Sequence, residues 1–438
     1  MDNESIIWPV RHMKAIRGTA MAILVLWMNA ASAVTPTPYG ENFAKYDSHW
    51  SDAGPVPLET GLMPPLQDLA PYQLQVETLE QENGPYASIL AEPLIAMAHH
   101  YRHTGDPEQA VRLYQRALHV VRVNDGLYSE RQIPFLRGLL DTYRETAQWE
   151  ILDQRYDYFF RLYGGGRPPF TELRLRAALE YLRWQREAFR LKVGDAESDR
   201  LLDMIDLNAE VIDAVSVDLS VSYSFRRDLA LSQLRNFYLL QDGFAPKIED
   251  KGLLTTSKYI GTMPAEGSIS ENRLDAIQRA AVPRASEPLE ALLSTARSEG
   301  VKQHAALQLE LADWLHWNGS RQKAQAAYQV VVEILRSAGE QALLEQWLGQ
   351  PVELPDNGSF YQPPGKDPNQ PGVVLEARYD VSVRGKPSNI QVRQVSGSES
   401  RSLYRFKRDL DRTRFRPRWA GGQAEASKQV ERSYRVFD

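Results

Sequence analysis

The apolar residues between 94 and 118 fall at the spacing of two short helices. Leu94, Met97, Ala98 and Tyr101 lie at i, i+3, i+4 and i+7, one stripe of an α-helix. Gly105 and Asp106 interrupt it, Asp106 stands where a helix N-cap is wanted, and Pro107 suits a first helical position. Ala110, Leu113, Tyr114, Ala117 and Leu118 then make a second stripe, and the small Ala98 and Ala110 let the two helices approach closely. The pattern returns 42 residues on. Tyr72, Tyr114 and Tyr156 keep that spacing, Gly84-Pro85-Tyr86 recurs as Gly126-Leu127-Tyr128, and Leu94 and Tyr101 recur as Leu136 and Tyr143. Several matches in one register predict a duplicated helix-pair unit, with the tyrosines as inter-helix packing.

The second copy is degenerate (Leu136, Leu139, Leu140, Tyr143, Ala147, Leu152, Tyr156). A further copy lies at Leu311, Ala312, Leu315, Gly319, Ala324 and Tyr328, with Ser320 expected to cap its second helix. Between them the pattern stays helical over 171–191, 197–214, 218–240, 274–297 and 301–317, with an irregular stretch at 243–268 and no clean period from 171 to 300. Residues 351–372 hold six prolines and three glycines, so an extended linker is expected there. Beyond it the period drops to two. Val373, Leu375, Ala377, Tyr379, Val381 and Val383 predict a strand, Arg384 to Pro387 a turn, and Ile390, Val392 and Val395 a second strand. Residues 400–412 predict a helix with Leu403, Phe406 and Leu410 on one face; Gly421-Gly422 turns the chain before a last strand at 428–437.

Composition narrows the classes. The 438 residues are 43% hydrophobic and 25% charged, enough apolar material for a core, which excludes a disordered chain. The absence of cysteine excludes disulfide scaffolds, thiol catalysis and cysteine zinc fingers. A single apolar run excludes a polytopic membrane protein. That run, Thr19 to Met28, follows Arg11, Lys14 and Arg17 and precedes Ala31-Ser32-Ala33, the layout of a cleaved export signal over 1–33. Its ten residues at about 1.5 Å each fall short of about 30 Å of hydrocarbon. A periplasmic chain beginning at Val34 is expected, with residues 34–71 extended; the alternative is an uncleaved inner-membrane anchor facing the periplasm. Residues 373–438 carry fifteen Lys/Arg against eight Asp/Glu, +7, which leaves −13 for the rest of a chain of net −6.

The helix-pair unit resembles the tetratricopeptide repeat. The family's large, Leu, small, Tyr, Gly, Ala, aromatic and Ala positions are taken by Leu94, Met97, Ala98, Tyr101, Gly105, Ala110, Tyr114 and Ala117, with a 42-residue period longer than the usual 34. Residues 373–438 resemble the C-terminal domain of TonB-like proteins, through the first strand, the Arg384-Gly385 turn, the run Val392 to Gly397, the helix, and Phe415-Arg416-Pro417 before Gly421-Gly422. Together these imply a mainly α protein: a tetratricopeptide-like helical-hairpin solenoid at 72–350, the linker at 351–372, and a small α+β TonB-like domain at 373–438. By the same resemblance, the groove-lining positions fall on Glu92, Ile95, His99, Arg102 and His103, and downstream on Asp313, His316 and Trp317.

Chemistry is sparse. His99 and His103 share a helical face, but no acidic residue sits between them as in HExxH and no third ligand is evident, so no metal is expected. Gly164-Gly165-Gly166 is followed by Arg167-Pro168-Pro169 instead of the Lys-Ser/Thr of a phosphate loop. No nucleophile, base and orienter can be assembled from spacing, so neither catalysis nor a cofactor is expected, and an acidic exported chain argues against nucleic acid. The expectation is a non-enzymatic periplasmic scaffold. It would hold a protein or peptide on the repeat groove while the basic tail contacts an envelope partner such as an outer-membrane protein. The alternative is an inner-membrane-anchored, TonB-like energy transducer acting on outer-membrane transport. By the TonB-like resemblance two features weigh against it: the family's motor-coupling anchor carries its His inside the apolar run, whereas His12 precedes it, and the family's long Pro/Lys-rich spacer is missing.

Overall fold

The computed structural model of the protein describes residues 68–194, 197–218, 220–243, 266–360, 373–396 and 402–436. The export signal, nearly all of the 34–71 segment, most of the irregular 243–268 stretch and the second half of the 351–372 linker lie outside the described residues. The chain is mainly helical, with a small antiparallel sheet region at its C-terminal end. Among the described residues no helix is long and apolar enough to cross a membrane.

The 42-residue register is visible in the backbone. Helix α1 (Ala70–Asn83) leads into two helix pairs, α2 (Ala91–His103) with α3 (Pro107–Asp125) and α4 (Ile133–Glu145) with α5 (Trp149–Leu162). Both members of the second pair begin 42 residues after their counterparts, as do the 3-10 turns Ser88–Leu90 and Glu130–Gln132 and the left-handed Gly84 (φ 87) and Gly126 (φ 91). Asp106 caps α3 by accepting from the Gln109 N–H at 3.1 Å, with Pro107 next to it. Tyr114 and Tyr156 occupy matching places: both are buried, and both hydroxyls reach the paired first helix, at His99 (3.0 Å) and Arg144 (3.3 Å). The Tyr114 ring also lies over Gly138, where a Cβ would come within 2.3 Å of it.

The turns inside the two pairs share their backbone course but differ in the residue at the left-handed position. At the left-handed position the first uses Gly105 (φ 86), whereas the second forces Ala147 to φ 53. Both turns close with the same hydrogen bond, Asp106 N–H to Tyr101 O and Gln148 N–H to Tyr143 O, each 2.9 Å. A Cβ in the left-handed region costs about 1–2 kcal/mol, and glycine's extra freedom in the unfolded chain returns part of that. Ala147→Gly is therefore expected to stabilise the protein by about 0.5–1 kcal/mol in chemical denaturation.

Further on, α6 (Glu172–Leu191) starts at Thr171, whose hydroxyl accepts from the Arg174 N–H, and α7 (Glu197–Ser216) follows. Helix α8 (Tyr223–Gly243) begins five residues later than expected, because Asp218 accepts from the backbone and hydroxyl of Ser220 and holds a turn. The single helix expected over 274–297 is two, α9 (Glu266–Arg279) and α10 (Ala281–Ser298). Pro283 has no N–H to continue α9 and is tolerated in the first turn of α10. Helices α11 (Val301–Trp317), α12 (Arg321–Ser337) and α13 (Gln341–Leu348) complete the helical part. Ser320 stands at the N-cap of α12, but its side chain makes no capping bond.

The expected linker needs correction. Residues 351–360 are packed, not a free spacer: Leu354 and Phe360 are fully buried, and Phe360 belongs to the same apolar core as α8, α11 and α12. Strand β1 (Val352–Leu354) pairs antiparallel with β4 (Arg414–Arg416), which lies beyond the expected domain boundary at 373. The main sheet has the order β3-β2-β7, from β2 (Val373–Val381), β3 (Pro387–Ser396) and β7 (Ser427–Val436), all antiparallel. Val373, Leu375, Ala377, Tyr379 and Val381 alternate inward and pack on Phe406 and Leu410 of α14 (Ser402–Arg412). A short hairpin, β5 (Arg418–Ala420) and β6 (Gln423–Glu425), turns at Gly421-Gly422 and delivers Trp419 to the helical core, against Tyr328 at 5.2 Å.

Candidate interaction surface

The first helix of each N-terminal pair carries charged residues that reach the next first helix 43 positions on. From α2, Arg102 binds Glu145 of α4 through Nε and Nη2 at 2.8–3.1 Å and Asp141 through Nη1 at 3.1 Å. From α4, Arg137 binds Glu180 of α6 in a two-point pair, and Arg144 binds Glu187, which also takes Arg183. From α6, Arg186 reaches Ser232 and Asn236 of α8. These links form one polar row across α2, α4, α6 and α8. Spacing of about one repeat brings complementary charges opposite each other wherever stacked helices begin in register.

Burial grades the row. Glu180 and Glu187 are buried, whereas the side chains of Asp141 and Glu145 are 56% and 53% exposed. The Arg102 guanidinium loses solvation, yet the hydrogen bonds it donates to Glu145 and the Asp141 charge hold its pKa above the ordinary value. Burial, with Arg102 and His103 adding, pushes His99 down to about 4, so its ring is neutral beside Tyr114.

The eight groove positions expected from sequence split into two groups. Of the upstream five, Glu92 and His103 are exposed, while Ile95, His99 and Arg102 are partly covered on the same helix. His99 and Arg102 are already engaged within the chain, and the His103 ring is held 2.8 Å from the His99 carbonyl. The downstream three do not line an open groove, which corrects the sequence expectation. Asp313 is buried and accepts from the Arg416 guanidinium (Nε 2.9 Å) and the Tyr328 hydroxyl (2.6 Å). The His316 Nε2 lies 3.0 Å from the Phe415 carbonyl, and Trp317 meets Phe360 edge-on at 5.8 Å. The physical reason is that the chain's own 351–360 segment and C-terminal strands lie against α11.

That junction is densely polar, and its key members escaped sequence reasoning. Arg416 also donates to the Trp347 carbonyl at 2.9 Å and lies 3.6 Å from Asp356. Asn357 accepts from Arg235 at its carbonyl (2.8 Å) and donates its amide to Glu310 (2.8 Å). Phe360 packs under the Arg190 guanidinium at 5.3 Å. On the sheet side, Glu353 takes Arg432 at 3.2 Å and the Tyr434 hydroxyl, while Tyr434 touches Tyr379 at 2.9 Å. The β2–β3 turn seats here through Gly385, which sits at φ 67 and accepts from the Phe415 N–H at 2.9 Å; any Cβ would strike the Phe415 carbonyl. One clue was available in sequence. Helix α11 reads Leu307, Leu309, Leu311, Ala312, Trp314, Leu315, apolar on all sides, so Glu310 and Asp313 within it demanded buried partners.

Among the described residues, no group of three or more His, Asp or Glu is arranged to hold a metal ion. No protein-family model matches this chain, and no curated protein matches it either.

Proposed function

We infer that the protein is an exported interaction scaffold that holds a protein or peptide on the first helices of its N-terminal repeats. The carrying observation is the exposed end of the polar row. Glu92, His103, Asp141 and Glu145 stand on adjacent helices, with two carboxylates shared by one arginine. Toward α8 the same row is buried and consumed by the chain's own residues. A partner with a basic or donor-rich extended segment fits the exposed end, where rim charges steer and orient more than they bind. Stacked helix pairs, as the tetratricopeptide resemblance implies, give such a segment a continuous surface. The packed 351–360 segment favours this reading over an anchored transducer, since it shortens any spacer to residues 361–372, about 40 Å at about 3.1 Å per residue.

The test is capture of partners from an envelope extract by the wild-type chain and by Glu92→Ala/His103→Ala. Both positions are exposed, so stability should stay within about 0.5 kcal/mol of wild type. Recovery of specific partners is expected to fall at least several-fold. Equal recovery by the two proteins would remove the upstream surface from the function.

A further inference from the structure

Part of the helical surface already holds extended chain, and its contacts show what such a segment needs. The Asn357 carbonyl accepts from Arg235 of α8 at 2.8 Å, and Phe360 meets both the Arg190 guanidinium of α6 at 5.3 Å and the Trp317 ring of α11 at 5.8 Å. From β4, the Phe415 carbonyl lies 3.0 Å from His316 Nε2, and the Arg416 guanidinium donates to both oxygens of Asp313. Arg190 stands one turn beyond Arg186, and Arg235 lies beside Ser232 and Asn236. The chain's own segment therefore follows the faces of α6 and α8 that carry the polar row.

The upstream helices present the same positions, unfilled. Three helix pairs close their turns with one hydrogen bond: Asp106 N–H to Tyr101 O, Gln148 N–H to Tyr143 O and Ser320 N–H to Leu315 O, each 2.9 Å. Each turn has a left-handed residue (Gly105, Ala147, Gly319), and the buried Tyr114, Tyr156 and Tyr328 follow at one constant distance along the chain. At one constant distance before it stand His99, Asp141 and Asp313. Asp141 and Asp313 are thus equivalent carboxyls, one open and one filled by the tail. Asp141 Oδ2 takes Arg102 at 3.1 Å, whereas Oδ1 accepts no hydrogen bond among the described residues. Arg102 keeps three hydrogen bonds to Glu145 without it. Burial, with Glu145 adding, pushes the Asp141 carboxyl up against Arg102, Arg137 and Arg144, although its side chain is 56% exposed. A carboxyl that is open and still short of solvation gains from a strong donor.

We propose that α2 and α4 take from a partner what α11 takes from the tail: an extended segment that places an arginine on Asp141. This rests on the reading of those helices as the partner's surface, and it names the chemistry they select. The arginine spans both Asp141 oxygens as Arg416 spans those of Asp313, while Arg102 turns wholly to Glu145. Lysine is a poor substitute, because an ammonium cannot donate to both oxygens in one plane.

The experiment selects short random displayed peptides on the full chain and, in parallel, on Asp141→Asn. The wild-type chain is expected to enrich peptides with an arginine at one fixed place. Resynthesised, they should bind Asp141→Asn at least tenfold more weakly, about the value of one charge-assisted hydrogen bond. Changing that arginine to alanine or lysine should weaken binding to the wild type as much. No enrichment, peptides without a fixed arginine, or equal affinity for Asp141→Asn overturns the proposal. The carboxyl ¹³C shift of Asp141 in the wild-type chain, followed as peptide is added, does not depend on the variant folding; a shift that stays still also sinks it. Envelope capture by Glu92→Ala/His103→Ala reports on the surface separately. A fall there, with peptides that lack arginine, leaves the surface in place and refutes its chemistry alone.

Discussion

Replacing Arg416 by alanine is expected to cost about 3–5 kcal/mol of stability, because it strands a buried carboxylate. The Arg416 and Asp313 side chains are only 4% and 3% exposed, and without the guanidinium Asp313 keeps, among the described residues, the Tyr328 hydroxyl at 2.6 Å. The Trp347 carbonyl loses its donor as well, and β4 loses the side chain that ties it to α11 and α13. Urea unfolding of the full chain measures the change; a loss under about 1 kcal/mol would mean that water replaces the guanidinium easily. Arg416→Lys should recover little, since an ammonium cannot span both Asp313 oxygens and the Trp347 carbonyl. The paired change Arg416→Met/Asp313→Leu should recover most of the loss, because it removes both charges from the dry site together. That contrast separates the cost of an orphaned charge from the smaller net value of the pair.

Trp184→Ala is expected to cost about 3–5 kcal/mol as well, through the cavity it leaves. Trp184 of α6 is fully buried and stacks on Tyr156 of α5 with centroids 5.0 Å apart and planes 12° apart. Its indole N–H donates to Asp153 at 2.7 Å, and Asp153 is also held by Arg200 of α7. Arg144 of α4 lies over the Trp184 ring, 5.3 Å from its centroid. One side chain thus fastens the second helix pair to everything after it. Beyond lower stability, the variant should unfold in two steps, with α1–α5 melting before the rest, since Trp184 belongs to the apolar cluster that covers those helices and the later helices form a separate one. A single transition seen alike by near-ultraviolet circular dichroism and by exchange of α3 amides would contradict that.

The helices were legible along the chain wherever a stripe and its punctuation agreed. Leu94 to Tyr101, the Gly105-Asp106-Pro107 break and Thr171 before α6 are local signals, and helix capping and 3.6-residue periodicity are local physics. The alternation from Val373 to Val381 worked for the same reason. The linker expectation failed because a neighbour distant in sequence decided the outcome. Nothing near Val352 announces that it pairs with Arg416, and proline content alone described a spacer where the fold makes a buried strand. At the surface, sequence placed Glu92, Ile95, His99, Arg102 and His103 on one helix, but their engagement depends on Tyr114, Asp141 and Glu145 arriving from other elements.

Asp313 marks the division most clearly. Residue order sets it on an apolar helix and so requires that it be buried with a partner, because an unpaired charge there costs several kcal/mol. Which partner answers is a matter of tertiary structure: Arg416, 103 residues away. Local order along the chain determined the helices, the strands and their register of 42. Only the folded chain decided that its tail lies against α11 and takes up Asp313, since contact between distant segments follows from packing the whole core and leaves no periodic trace in sequence.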